Sequence, residues 1–394
     1  MSQDDMSRFT TGWNYPAQIL TGVGRAGELP AACRALGMRA PLLITDPGLA
    51  GLPMVRDLVD ACAEDGLRIA VFSDIKGNPT GTNVAAGVAA FREGEHDGVI
   101  AFGGGSGLDA AKAVALMARQ RDDLSLWALE DVGDNWKQAD GEAVAPVVAV
   151  PTTAGTGSEV GRASVITDEA AHVKRIIFHP AMVPATVILD PALTTGLPPA
   201  ITAATGMDAL SHCMEAWCSP NYHPMAEGIA VEGMRRIRDH LPQAYRDGGN
   251  LEARMNMLVA SMMGATAFQR GLGGMHALAH PLGALYDAHH GTLNAVLMPY
   301  VLRANERVIG EPMVRLGRYL DLRQPGTGAV IDWVLDLRER LGIPHTLAAL
   351  DIDTAQADRV GEMALADPSS GSNPIAYTAG QYRDIFVQAV EGRL

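Results

Sequence analysis

Short apolar runs alternate with amphipathic stretches through the first half of the chain, and that alternation predicts a layered α/β domain. "APLLITD", "RIAVFSD", "DGVIAFGGG" and "APVVAVPTT" read as buried strands, each bounded by turn-forming residues. Between them "MVRDLVDACAEDG" and "NVAAGVAAFREG" repeat apolar positions at helical spacing. Strand and helix in this order predict a parallel sheet with covering helices. After about Asp190 the texture changes, since "PALTTGLPPAITAATGMDALSHCMEAWCS" and the remainder of the chain are rich in Ala, Met and Leu with few β-branched runs. A proline pair precedes the helical periodicity there, as at a helix start. The expected organisation is an α/β domain over residues 1–191 followed by an all-α domain over 192–394. "ADPSSGSNP", Ala366 to Pro374, reads as a surface loop ahead of the last helix, and no internal repeat interrupts the pattern.

Composition narrows the class. A chain of 394 residues exceeds one ordinary core and suits two, and 47% apolar residues is what packed cores need. The formal charge of −14 repels nucleic acid and anionic membranes, which sets both aside as partners. Cys33, Cys62, Cys213 and Cys218 show no CxxC spacing, so neither a disulfide framework nor a thiolate zinc site is expected. "MSQDDMSRFT" lacks the basic and apolar runs of a signal peptide, and no stretch reads as a membrane span, so a cytoplasmic location is expected.

Candidate chemistry begins at "VIAFGGGSGLDAAKAVALMA", a strand, a run of glycines, then a helix. Glycines let the backbone approach a pyrophosphate, and the first helical N–H groups and the helix dipole favour its charge. The match to the dinucleotide fingerprint is GxGxxA at Gly105, Gly107 and Ala110, and the competing reading is a tight strand-to-helix turn. Asp46 ends the earlier strand "LLITD"; a carboxylate there accepts from ribose hydroxyls and repels a 2'-phosphate, favouring NAD over NADP, unless it simply opens the "DPG" turn. "PTTAGTGSE", Pro151 to Glu159, reads either as a surface lying against a flat ring or as a polar loop.

The helical half carries polar pairs in apolar surroundings. Asp208 and His212 stand four apart in "GMDALSHCMEA", and His276 and His280 four apart in "GLGGMHALAHPLGALYDAHHG", so each pair shares a helix face. Burying such pairs is costly unless something satisfies them, and a divalent cation does. Imidazoles with one carboxylate suit Fe(II), Zn(II), Co(II) or Ni(II) better than Mg or Ca. Spacing alone leaves open which of His276, His280, His289 and His290 bind. Fourteen residues separate His276 from His290, about 20 Å along a straight helix, so the helix must break at Pro281, at Gly283 or in the "YDAHHG" exit.

With "GGGSGLDAAK", "PTTAGTGSE", "TAATGMDALSHCMEA" and "GLGGMHALAHPLGALYDAHHG" in this order, the chain resembles the iron-containing (group III) alcohol dehydrogenases over nearly its whole length. The resemblance implies an N-terminal dinucleotide-binding domain, a helical C-terminal domain and the architecture shared with dehydroquinate synthase. It implies Asp208, His212, His276 and His290 as metal ligands, with His280 as the neighbouring proton-relay group. On the cofactor side it implies Gly103, Gly104, Gly105 and Ser106 as the pyrophosphate cradle and Asp109 as a cofactor contact. Thr152, Thr153 and Thr156 would surround the nicotinamide and its ribose, with Lys174 also at the ribose, and Asn78 belongs to a "GNPT" segment where many members read "PNPT". "NPI" stands where many have "NPR".

The implied chemistry is hydride transfer between NAD(H) and a small primary alcohol or diol and its aldehyde, with Fe(II), or Zn(II), as the metal. Arg270, six residues before His276, reads either as a clamp for a carboxylate or sulfonate or as a solvated charge. The clamp would suit an ω-hydroxy acid such as 4-hydroxybutyrate. Other readings are a hydroxyacid-oxoacid transhydrogenase and a dehydroquinate synthase-like lyase. A homodimer is expected through the edge strand near "WNYPAQILTG".

Overall fold

The computed structural model describes residues 11–14, 17–171 and 173–394. Its strands are β1 (Thr11–Asn14), β2 (Gln18–Thr21), β3 (Pro41–Ile44), β4 (Ala70–Phe72), β5 (Gly98–Gly103), β6 (Val147–Pro151), β7 (Ala163–Asp168), β8 (Val173–Phe178) and β9 (Thr186–Leu189). The helices of the first half are α1 (Leu29–Ala35), α2 (Pro47–Ala50), α3 (Pro53–Glu64), α4 (Gly81–Glu93) and α5 (Gly105–Met117). Those of the second are α6 (Pro199–Cys218), α7 (Pro224–Arg246), α8 (Leu251–Ala267), α9 (Gly274–Tyr286), α10 (His290–Tyr319), α11 (Thr327–Arg340), α12 (Ala357–Ala366) and α13 (Ala379–Glu391). Two compact units result, one of Met1–Thr153 with Gly157–Gly196 and one of Ala154–Thr156 with Leu197–Leu394. Among the described residues no helix is long and apolar enough to cross a membrane.

In the first unit the sheet order is β1-β2-β9-β6-β5-β3-β4, parallel throughout except for β1, which pairs antiparallel with β2. The central strands β3, β5, β6 and β9 are buried along their length, as their apolar runs, interrupted only by Thr186 at the start of β9, require. "RIAVFSD" departs from the buried strand expected of it: it becomes β4 at the sheet edge, where Val71 is 42% exposed. The chain leaves β3 toward β4 on one side and leaves β5 toward β6 on the other. Asp46 and the glycine turn therefore lie at the carboxyl ends of two adjacent strands whose connections diverge, the place where open α/β sheets bind ligands. A separate hairpin, β7 with β8, carries Lys174.

In the second unit α6 packs against α7, α8 and α10 and is buried on nearly every face, which explains its lack of a polar stripe. A Cβ on Gly291 would lie 2.3 Å from the Ala204 carbonyl oxygen, so only glycine lets the first turn of α10 rest on the α6 backbone. That contact brings His290 against Asp208. The break required between His276 and His290 falls in the "YDAHHG" exit. Helix α9 runs through Pro281 and Gly283 to Tyr286, and Asp287 turns the chain with φ 50° before α10 begins at His290. Within α10, Pro299 cannot donate to the Ala295 carbonyl; Arg338, 2% exposed, donates to Ala295 O and Val296 O instead.

Candidate functional site

Helix α6 presents Asp208, His212 and Glu215 at spacings of four and three, so the three share one face, and all three are buried. Helix α9 adds His276 and His280, and α10 adds His290 and, one turn on, Asn294. Asp208, His276 and His290 each offer an atom within 4.8 Å of the others'. His290 Nε2 stands 3.6 Å from Asp208 Oδ1. The His212 ring stacks on His276 with centroids 4.8 Å apart, and His280 stacks on His290 at 5.3 Å. His289 is exposed at the N-cap of α10 and stands outside this set.

The donor set fits a divalent transition metal. One carboxylate and two imidazoles, buried apart from the half-buried His290 and with no thiolate among them, are borderline-soft N and O donors. Burial alone would raise the Asp208 carboxyl, yet His212, His290 and His276 hold it well below the carboxylate range, so it is ionised. Burial pushes His212 down to about 4, leaving a neutral ring, and its buried Nδ1 has no hydrogen-bond partner. The amide nitrogen of Asn294 lies 2.9 Å from Asp208 Oδ1, 3.3 Å from His276 Nε2 and 3.1 Å from His290 Nε2, while its Oδ1 is buried without a partner. A single electropositive group thus already faces all three convergent acceptors.

Distant side chains fix α9. Its first turn has no cap of its own, since Gly273 lacks a side chain, and the exposed N–H groups are met from elsewhere: Gly274 N–H donates to Asn373 Oδ1 at 3.0 Å and Met275 N–H to Glu215 Oε1 at 2.6 Å. His276 Nδ1 meets Glu215 Oε2 at 2.6 Å, and His280 Nδ1 meets Asp367 Oδ2 at 2.8 Å. Burial works to raise the Asp367 carboxyl, but His280 and Ser369 outweigh it and lower it, so it stays ionised beside the ring. The "ADPSSGSNP" segment therefore anchors the histidine helix through Asp367 and Asn373. Sequence reasoning missed Glu215, Asn294, Asp367 and Asn373. Glu215 and Asn294 carried a signal, a buried polar residue seven after Asp208 and four after His290; the other two carried none.

Arg270 is not free to clamp a substrate. Its Nη1 donates at 2.9 Å to the carbonyls of Ala216 and Trp217, which end α6, its Nε donates to Asn221 O, and Nη2 pairs with Glu227 at 2.9 Å. With its side chain only 10% exposed, it caps a helix C-terminus and is neither the clamp nor the solvated charge that the sequence suggested.

In the first unit Gly103, at φ +138°, ends β5, and a Cβ there would lie 3.7 Å from both Asp46 Oδ2 and Thr45 Oγ1. The Asp46 carboxylate and the glycine turn are thus neighbours. Asp46 Oδ1 caps α2 by accepting from Leu49 N–H at 3.1 Å. Helix α5 begins after Gly104 with no side-chain cap, so the N–H groups of Gly105 and Ser106 open toward any anion at the turn. Ser106 Oγ donates to Gly77 O, and Lys174 Nζ donates to Asn78 Oδ1 at 2.9 Å, tying the "GNPT" loop to the turn and to the β7–β8 hairpin. Thr152 N–H donates to Gly103 O at 2.9 Å, and a Cβ on Gly104 would lie 3.2 Å from Thr153 Oγ1. Asp109, expected as a cofactor contact, is 7% exposed, and its two oxygens accept from Ser158 Oγ and Val165 N–H. Thr156, in the short segment of the second unit, is exposed.

Comparison with known proteins agrees with this chemistry. The sequence profile described as iron-containing alcohol dehydrogenase matches residues 16–191, and that of the Fe-containing alcohol dehydrogenase family C-terminal region matches residues 202–390. A 4-hydroxybutyrate dehydrogenase of Cupriavidus necator is 40% identical over 95% of this chain and 99% of its own. The crystal structure of a 1,3-propanediol oxidoreductase superposes with TM-score 0.87 at 36% identity, covering 93% of this chain and 96% of that one. A sulfoacetaldehyde reductase from Bifidobacterium kashiwanohense, solved in complex with NAD+, gives TM-score 0.86 at 29% identity over 95% and 97% of the two chains.

Proposed function

The chain belongs to the iron-containing alcohol dehydrogenase family and is an NAD-dependent oxidoreductase acting on small alcohols and aldehydes, and from that premise we propose its site residues and preferred substrate. Asp208, His212, His276 and His290 hold the metal, Fe(II) first and Zn(II) second. The observation that carries this reading is the convergence of ligand atoms of Asp208, His276 and His290 within 4.8 Å, the first two buried and the third half-buried. When bound, the cation supplies Lewis acidity toward the alcohol oxygen and the nicotinamide supplies the hydride acceptor. His280, fixed through Nδ1 by Asp367, presents Nε2 as the acceptor for the hydroxyl proton. Gly103, Gly104, Gly105 and Ser106 bind the pyrophosphate, and Asn78, Lys174, Thr152, Thr153 and Thr156 serve the ribose and nicotinamide. Residues 1–191 act as the cofactor domain and 192–394 as the metal and substrate domain, in a cytoplasmic homodimer.

The preferred substrate in this proposal is a short primary alcohol or diol. Engagement of Arg270 removes the basic group that sequence reasoning offered for a carboxylate. The second reading, an ω-hydroxy acid, rests on the 40% identical 4-hydroxybutyrate dehydrogenase. Turnover of butanol, 1,3-propanediol and 4-hydroxybutyrate by the iron-loaded protein, followed as NADH absorbance, should favour the two uncharged substrates. A kcat/KM higher for 4-hydroxybutyrate would install the second reading.

Asp46 in this proposal uses Oδ1 for its helix cap and keeps Oδ2 for a ribose hydroxyl. Asp46→Gly should raise the NADP/NAD ratio of kcat/KM on the order of tenfold, the equivalent of removing about 1.4 kcal/mol of like-charge repulsion. An unchanged ratio would mean that another group selects the cofactor.

A further inference from the structure

Glu215 stands outside the convergent donor set, yet it is a 4% exposed carboxylate touching the helix that carries two of the histidines. Each of its oxygens is spent on α9. Oε1 accepts from Met275 N–H at 2.6 Å and from His276 N–H at 3.4 Å, so it takes the place of the cap that Gly273 cannot provide. Oε2 stands 2.6 Å from His276 Nδ1. A carboxylate has no hydrogen to give, so the proton of that contact belongs to the ring nitrogen, and in the neutral imidazole the lone pair is left on Nε2. Nε2 is the nitrogen on the side of Asn294 and the convergent set.

We propose that Glu215 is the positioning residue of the metal site: it holds His276 in the Nδ1–H form with Nε2 aimed at the cation, and it locks the start of α9 to the same helix face that carries Asp208 and His212. The inference rests on reading His276 as a ligand. Geometry gives it two consequences. The ring cannot rotate about its Cβ–Cγ bond without losing the bond to Oε2, and α9 cannot slide along α6 without losing the bonds to Oε1. Glutamine at 215 keeps the shape but carries one acceptor and one donor. If its oxygen keeps the α9 N–H groups, its NH2 faces His276 Nδ1 and favours the Nε2–H form, which has no lone pair for a metal.

Metal-stripped parent, Glu215→Gln and His276→Ala proteins are titrated with Co(II) alone and read by visible absorption, with thermal unfolding of each stripped protein alongside. Glu215→Gln should weaken Co(II) binding about 10–100-fold and alter the band positions or intensities, while NAD binding is retained. Parent-like affinity and spectrum in Glu215→Gln, with binding lost in His276→Ala, would overturn the positioning role alone. Parent-like binding in His276→Ala would overturn the ligand reading itself. Should Glu215→Gln not fold, 15N-histidine NMR of the metal-stripped parent decides: a protonated Nδ1 on His276 with no metal present supports the proposal, and an unprotonated one sinks it.

Discussion

Asp208→Ala protein should retain its fold and its NAD binding, carry little metal after purification, and oxidise alcohol at least roughly a thousandfold more slowly than the parent, equivalent to about 4 kcal/mol of transition-state stabilisation. Asp208 is singled out because it is the anionic member of the convergent set, and the three imidazoles around it already hold its carboxyl in the ionised form. Without it, a 2+ ion would enter a largely buried site with no anion in the convergent set, and its lost hydration would go largely uncompensated. The loss should exceed that from removing any one imidazole, since within the convergent set only Asp208 brings negative charge to the cation. Metal content by elemental analysis and NADH formation with a saturating alcohol check the result together. Normal turnover with a full metal complement would remove Asp208 from the ligand set.

Some of this was legible because it is local. The runs "PLLI", "GVIAFG" and "VVAVP" are apolar at every position, which marks strands covered on both faces, and such strands end where the glycine turn and Asp46 stand. The i,i+4 pairs on α6 and α9 likewise announce one face each. What could not be read depends on partners far away in the chain. Asn373 reaches Gly274 across 99 residues and Asp367 reaches His280 across 87, and neither sits in a periodic pattern. Arg270 was misread for the same reason: the carbonyls it caps lie more than fifty residues upstream. The exposure of Val71 follows from strand order, which a strand's own sequence does not contain. Pro281 looked like a helix breaker, but α9 continues through it and the turn comes at Asp287.

The resemblance gives Asp109 a cofactor contact and its buried bonds give it a structural role, and Asp109→Ala should tell the two apart. On α5, Asp109 lies one turn from Lys112, which is 1% exposed; the two approach to 3.5 Å, and Lys112 Nζ donates to Ala163 O at the start of β7. Ser158 Oγ and Val165 N–H complete the carboxylate's bonds, so Asp109 ties α5 to the turn at 158–160 and to β7. Removing it leaves the Lys112 ammonium buried beside Glu159, whose carboxyl is itself pushed up to about 7 by burial and so offers only a partial countercharge near neutral pH. Breaking a buried pair of this kind costs about 3–5 kcal/mol. In a unit of this size that should lower the unfolding midpoint by on the order of 10 °C. A cofactor contact at Asp109 would behave otherwise, with an unshifted melting curve and weakened NAD binding. Asp109→Ala, Lys112→Met double replacement sharpens the distinction, because exchanging both charges for apolar groups removes the unpaired ion and should recover much of the lost stability without restoring any contact to a ligand.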